Sequence, residues 1–118
     1  MPRARDPEDV LPLTPKTFLL LLVLQEEGPL HGYALKKAMR ERSSGAISMD
    51  PGGLYRLIAR LEREGLIRRA ARPSDEEDER RQYVAISDWG RAVLSAEARR
   101  IAALAKLPSV QQLAGGGR

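Results

Sequence analysis

Gly52-Gly53-Leu54-Tyr55-Arg56-Leu57-Ile58-Ala59-Arg60-Leu61-Glu62-Arg63-Glu64-Gly65 is the stretch on which the reading of this chain turns. At 3.6 residues per turn it separates into two faces. Leu54, Leu57, Ile58 and Leu61 form a continuous apolar stripe at helical spacing. Tyr55, Arg56, Arg60 and Arg63 lie away from that stripe, with Gly52 and Gly53 at the N-terminal end. A helix that buries aliphatics on one side and shows arginines and a tyrosine on the other suits a DNA major groove. The same pattern also describes an ordinary solvated helix, so the neighbouring segments decide between the two.

Upstream, Asp50-Pro51 supplies an N-cap and a first-turn proline for this helix, which Gly65 ends. A preceding helix is expected from His31 to Arg42. Leu35, Ala38 and Met39 form its inner face, and Lys36, Lys37, Arg40 and Arg42 its outer one. Thr14-Pro15 starts a first helix in the same way as Asp50-Pro51. Its run from Phe18 to Leu24 is apolar on all sides and must be covered all round. One small domain offers little to cover it with, which predicts a subunit interface. Gly28-Pro29 stops this helix. Residues 1–13, with three prolines and mixed charge, read as an extension.

Downstream, residues 66–72 and 80–86 flank the acidic run from Asp75 to Glu79 and read as a β-hairpin. In the second strand Gln82, Val84 and Ile86 share one face, and Arg81, Tyr83 and Ala85 the other. Ser87-Asp88 caps a last helix from about Trp89 to Lys106. Leu94, Ala98, Ile101 and Ala105 give that helix a narrow stripe suited to packing against another helix. Pro108 is expected to end it, and Gly115 to Arg118 to form a flexible tail. The expected division is an extension (1–13), a winged helix-turn-helix (14–87), a dimerisation helix (88–107) and a tail (108–118).

Composition narrows the function. The chain has 118 residues, enough for one domain with a modest core. Aromatic residues are only 4%, so that core must be aliphatic. A net charge of +4 favours an anionic partner, mildly. There is no cysteine, which excludes disulfides, thiolate metal sites and cysteine nucleophiles. With His31 the one histidine, most catalytic triads and histidine metal sites are excluded as well. Carboxylate chemistry alone would remain, and the acids cluster in an exposed loop with nothing apolar to raise their pKa values. No enzymatic activity, metal or cofactor is therefore expected. The Phe18–Leu24 run is far shorter than the roughly 20 apolar residues of a bilayer span. The N-terminus lacks the apolar core of a secretory signal. A cytoplasmic protein without membrane contact is the expectation.

Four local motifs occur in order. Gly28-Pro29-Leu30-His31-Gly32-Tyr33 opens the second helix, and Pro51-Gly52-Gly53-Leu54-Tyr55 opens the third. Leu61-Glu62-Arg63-Glu64-Gly65-Leu66-Ile67 leads into the wing. Arg81-Gln82-Tyr83-Val84-Ala85-Ile86-Ser87, followed by Gly90-Arg91, leads out of it. Over roughly residues 14–95 this set resembles the PadR family of bacterial transcriptional regulators, in a short branch with one C-terminal helix. The resemblance implies a mainly α fold with a small β-hairpin. It implies a homodimeric repressor of double-stranded DNA, with the last helix of one subunit packed on the first helix of the other. It also implies release by a small hydrophobic effector near the dimer interface. Two departures stand out. Gly53 occupies a position that is usually serine or threonine in the family. The wing tip carries five acids, where basic or glycine-rich tips are usual.

Candidate residues follow. Tyr55, Arg56, Arg60, Gly52 and Gly53 are expected at DNA, with Arg56 placed to read bases and Tyr55 to bond a phosphate. Arg63, late in the helix, is expected in solvent or at a phosphate. Tyr33 and Lys36 at the start of the second helix are expected at phosphates, where free N–H groups favour anions; the alternative is a packing turn with Tyr33 in the core. His31 is expected to cap or pack. Arg81 is expected to flank the minor groove from the wing; the alternative is charge balance for the acidic tip. Phe18, Leu22, Leu94, Ala98, Ile101 and Ala105 are expected at a dimer interface. Trp89 either stacks on an aromatic effector or anchors the last helix to the hairpin. The competing reading of the whole chain is a winged-helix protein-interaction module without specific DNA binding, favoured by the acidic loop and the mild net charge.

Overall fold

The structure, a computed structural model, describes residues 5–115. A 3-10 helix at Pro7–Val10 is followed by α1 (Pro15–Glu27), β1 (Leu30–His31), α2 (Gly32–Arg42), α3 (Pro51–Arg63), β2 (Ile67–Ala70), β3 (Tyr83–Ile86), α4 (Asp88–Ala105) and α5 (Pro108–Gly115). The helices begin where side chains satisfy their first free amides. Thr14 accepts from the Thr17 N–H, Asp50 from the Gly53 N–H and Ser87 from the Gly90 N–H, with Pro15 and Pro51 in the first turn. His31 caps α2, its Nδ1 accepting from the Ala34 N–H at 3.3 Å.

The hairpin β2–β3 forms, and β1 adds to its other edge, giving the order β1-β3-β2 with every pair antiparallel. Leu30 pairs with Val84, and Ile67 with Ile86. The central strand β3 keeps the expected alternation, yet all four of its residues are buried. Val84 and Ile86 enter the main core. Tyr83, on the other face, is covered by the wing tip and by His31, whose ring meets it edge-on.

At the centre of the core lies α1. Leu20, Leu21 and Val23 are wholly buried, and Leu19 and Leu24 nearly so. The expectation that a single domain cannot cover this helix is therefore corrected. The sheet, α2, α4 and the N-terminal segment wrap it, and only Phe18 and Leu22 of its apolar run stay half-exposed. The core closes against α4 at Gly90. A Cβ there would fall on the Leu66 carbonyl oxygen and lie 2.8 Å from Ile86 Cγ1, so only glycine fits.

Two terminal expectations also change. The described part of the N-terminal extension is docked. Val10, Leu11 and Leu13 pack on the core, and the Leu13 N–H donates to the buried carboxylate of Glu97 at 2.7 Å. Pro108 does not open a flexible tail; it starts α5, as a proline can in a first turn. Two helices therefore follow the wing rather than one. Residues 116–118 of the expected tail lie outside the described residues. From Ala98 onward every described residue of α4 and α5 is exposed, so this arm projects from the body. The radius of gyration, 16.2 Å, exceeds the roughly 13.5 Å of a compact domain of this length for that reason.

Candidate nucleic-acid interface

Burial of Leu54, Ile58 and Leu61, with Leu57 partly covered, fixes the rotation of α3 about its axis. What remains outside, beyond the first-turn Pro51, is Gly52, Tyr55, Arg56, Ala59, Arg60 and Arg63. Gly52, Arg56, Ala59 and Arg63 run along the middle of that exposed strip, in steps of four, three and four. Tyr55 lies to one side of it, 61% exposed, with its ring against the start of α2. A Cβ on Gly32 would sit 3.2 Å from Tyr55 Oη, so the glycine lets the two helices approach here. Gly53 has a comparable reason: a Cβ there would meet the capping Asp50 Oδ1 at 2.9 Å.

On α2, Tyr33 is 70% exposed rather than in the core, which corrects the packing alternative for that residue. It shares a depression with Lys36, Lys37, Arg40, Glu41 and Ser48, beside the turn that leads into α3. A second depression, which also reaches Ser48, is lined by Lys16, Asp50, Arg56, Arg60 and Arg63.

Ion pairing sorts the basic residues. In the wing, Arg69 binds Glu62 at 3.1 Å and also Gln82. Arg80 binds Asp78 at 3.3 Å, and Arg81 binds Glu76 at 3.2 Å. The acidic run alternates. Glu76 and Asp78 turn back onto the hairpin, while Asp75, Glu77 and Glu79 face solvent. Glu76 accepts from Tyr83 Oη at 2.7 Å, from the Asp78 N–H and from Arg81. These bonds, that from Tyr83 foremost, hold its carboxyl down at about 2. Arg81, expected at the minor groove, is thus engaged in charge balance within the tip. Arg68 and Arg72 of the wing, and Arg5, Arg99 and Lys106, have no ion-pair partner among the described residues, and neither do Lys16, Lys36, Lys37, Arg40, Arg56 and Arg63. The last six lie on α1, α2 and α3, around the two depressions.

Arg60 behaves differently from Arg56. Its Nη2 donates to Thr17 Oγ1 on α1 at 3.1 Å, and its Nε lies 4.0 Å from Glu64. Arg63, expected largely in solvent, stands in the middle of the exposed strip. The seven-residue step from Arg56 to Arg63 was the signal that placed it there. Lys16, Lys37 and Arg40 were not among the expected contacts either.

The expected interface residues divide. Phe18, Leu22, Leu94 and Ala98 come together in a shallow groove between α1 and α4, rimmed by Gln25, Arg91 and Ser95. Ile101 and Ala105 lie further out on the projecting arm, where Leu104, Leu107, Val110 and Leu113 are also exposed. Trp89 packs on the core, and the Arg5 guanidinium stacks 4.8 Å from its ring centre.

Comparison with known proteins agrees with this fold. The family model described as "Transcriptional regulator PadR-like family" matches residues 20–96. A protein of Streptomyces fradiae, described as an uncharacterized 37.1 kDa protein in transposon TN4556, is 36% identical over 86 residues. That alignment takes in 73% of this chain and 23% of the relative, so the chain spans about a quarter of the curated relative it matches. A probable transcriptional regulator from Pseudomonas aeruginosa is 32% identical, with a TM-score of 0.61, covering 87% of this chain and 74% of that one. A PadR-like transcriptional regulator from Bacillus cereus shares the fold at a TM-score of 0.68 and 21% identity, covering 85% and 91% of the two chains. A mutant MarR from E. coli, solved in complex with operator DNA, shares it at a TM-score of 0.62 and 22% identity, covering 85% and 60%.

Proposed function

The chain belongs to the PadR-like family of transcriptional regulators, and on that premise we propose that it is a homodimeric repressor that binds double-stranded operator DNA through α3. One observation carries this reading: α3 is locked in the core by one face and presents on the other Arg56 and Arg63, which have no ion-pair partner among the described residues. Arg56, nearest the helix start, reads base edges. A good arginine–guanine pair supplies about 1–3 kcal/mol of discrimination. Tyr55, Tyr33 and Lys36 bond the flanking phosphates. The groove of Phe18, Leu22, Leu94 and Ala98, extended along the apolar arm, joins two copies and sets two α3 helices about 34 Å apart, one turn of DNA. A small hydrophobic effector seated beside that groove changes the spacing and releases the operator. Such a regulator works in the cytoplasm.

The observation that favoured a protein-interaction module is weakened, because two of the five wing acids are held by the hairpin's own arginines and Tyr83. The test is selection of bound duplexes from a random pool. The expected result is a two-fold symmetric consensus, bound with an affinity that falls steeply with salt. Absence of any enriched sequence, together with salt-independent binding, overturns the reading.

A further inference from the structure

We propose that Lys16 and Arg60 form a phosphate clamp shared by α1 and α3, and that Arg60 is therefore a backbone contact rather than a base reader. This rests on the DNA-binding reading given above and sharpens it. Four cationic side chains from two helices, Lys16, Arg56, Arg60 and Arg63, converge on one depression between the first turn of α1 and the exposed strip of α3. Two acids are close enough to compete. Asp50 is engaged in capping the Gly53 N–H at 3.2 Å, and Glu64 lies at the limit of pairing range from Arg60, at 4.0 Å. The depression is therefore left with a surplus of positive charge.

The bond from Arg60 to Thr17 decides the role of Arg60. Thr17 is buried, and its hydroxyl accepts from Arg60 while bonding Thr14 Oγ1 at 3.0 Å. The guanidinium is thereby drawn sideways off α3 onto the start of α1, beside Lys16. An arginine anchored in this way by a helix outside the reading strip cannot extend along the groove floor. Its Nη1 has no hydrogen-bond partner among the described residues, and its side chain stays about half exposed (47%). A planar donor fork next to an ammonium suits the paired oxygens of a phosphodiester. Arg56, with no such anchor, keeps the freedom to meet a base edge.

The sequence-selection and salt-dependence experiments separate the roles. Lys16→Ala and Arg60→Ala are each expected to bind the wild-type consensus about tenfold more weakly. Each is expected to lower the slope of log affinity against log salt by about 0.9, while selecting the same consensus as wild type. Arg56→Ala is expected to change the consensus itself. Arg60→Lys restores a charge and recovers part of the affinity. Lys16 is exposed and makes no side-chain bond among the described residues, so its variant leaves the fold intact. If Lys16→Ala matches wild type in affinity and slope, or Arg60→Ala selects a different sequence, the clamp is overturned. If the wild-type chain itself selects no DNA, the regulator reading fails and takes the clamp with it.

Discussion

Single side chains in this molecule act mainly by deciding which charges are left over. Glu76 shows how. Its carboxyl is held at about 2, against an ordinary 4.5, first by the Tyr83 hydroxyl and then by the Asp78 N–H and Arg81. A carboxyl lowered on folding stabilises the folded tip fully above pH 4.5, and that contribution disappears as pH falls from there toward 2. Tyr83→Phe removes the foremost cause. It is expected to move Glu76 back up toward its ordinary value, as read by carboxyl NMR titration. An unmoved Glu76 would show that Tyr83 does not hold the tip. At this scale the sequence was half legible. The clustering of acids was plain, but charge balance with Arg81 stood only as the alternative to a minor-groove contact. That alternate acids fold inward depends on Tyr83 standing opposite Glu76, which only the hairpin register provides. Glu97 was not legible at all. Its buried carboxylate pairs with Arg100 three residues on and accepts from the N–H of Leu13, 84 residues away, a partner that no local pattern shows.

Among the elements, those with a cap and a period were readable. Thr14-Pro15, Asp50-Pro51 and Ser87 each fix a helix start within the local chain, and the 3.6-residue stripe of α3 fixes its buried face. Of the elements that escaped, β1 is defined by partners distant in sequence. The strand β1 is two residues long and exists only because Leu30 and His31 pair with Val84 and Tyr83; two residues carry no alternation to read. Pro108 is ambiguous in principle, since a residue that stops one helix can begin the next. The docking of α4 depends on Gly90, whose Cα faces the Leu66 carbonyl. Gly90→Ala is expected to destabilise the fold by about 3 kcal/mol or more, measured by urea denaturation, with Gly115→Ala on α5 near neutral because nothing lies within 4 Å of its Cβ position.

As a whole, the molecule is a packed body with a projecting apolar arm. Ile101, Leu104, Leu107, Val110 and Leu113 are exposed along that arm, and apolar side chains gathered on a surface in this way mark an interaction site. The proposed use is the second subunit. Ile101→Asp is expected to shift the chain to monomer in sedimentation at micromolar concentration and leave its helical CD signal nearly unchanged. A stable wild-type monomer under those conditions contradicts the dimer.

The claim that α3 lies in the DNA groove can be measured directly, because the chain has no cysteine to interfere. Ala59→Cys puts a single thiol in the middle of the exposed strip of α3, and a DNA-cleaving metal chelate attached there reports where the strip sits. Two clusters of cuts, their centres about 10 base pairs apart on the selected operator, are the predicted result. No cutting from position 59, together with strong cutting from the same chelate on Ser95→Cys of α4, would contradict it.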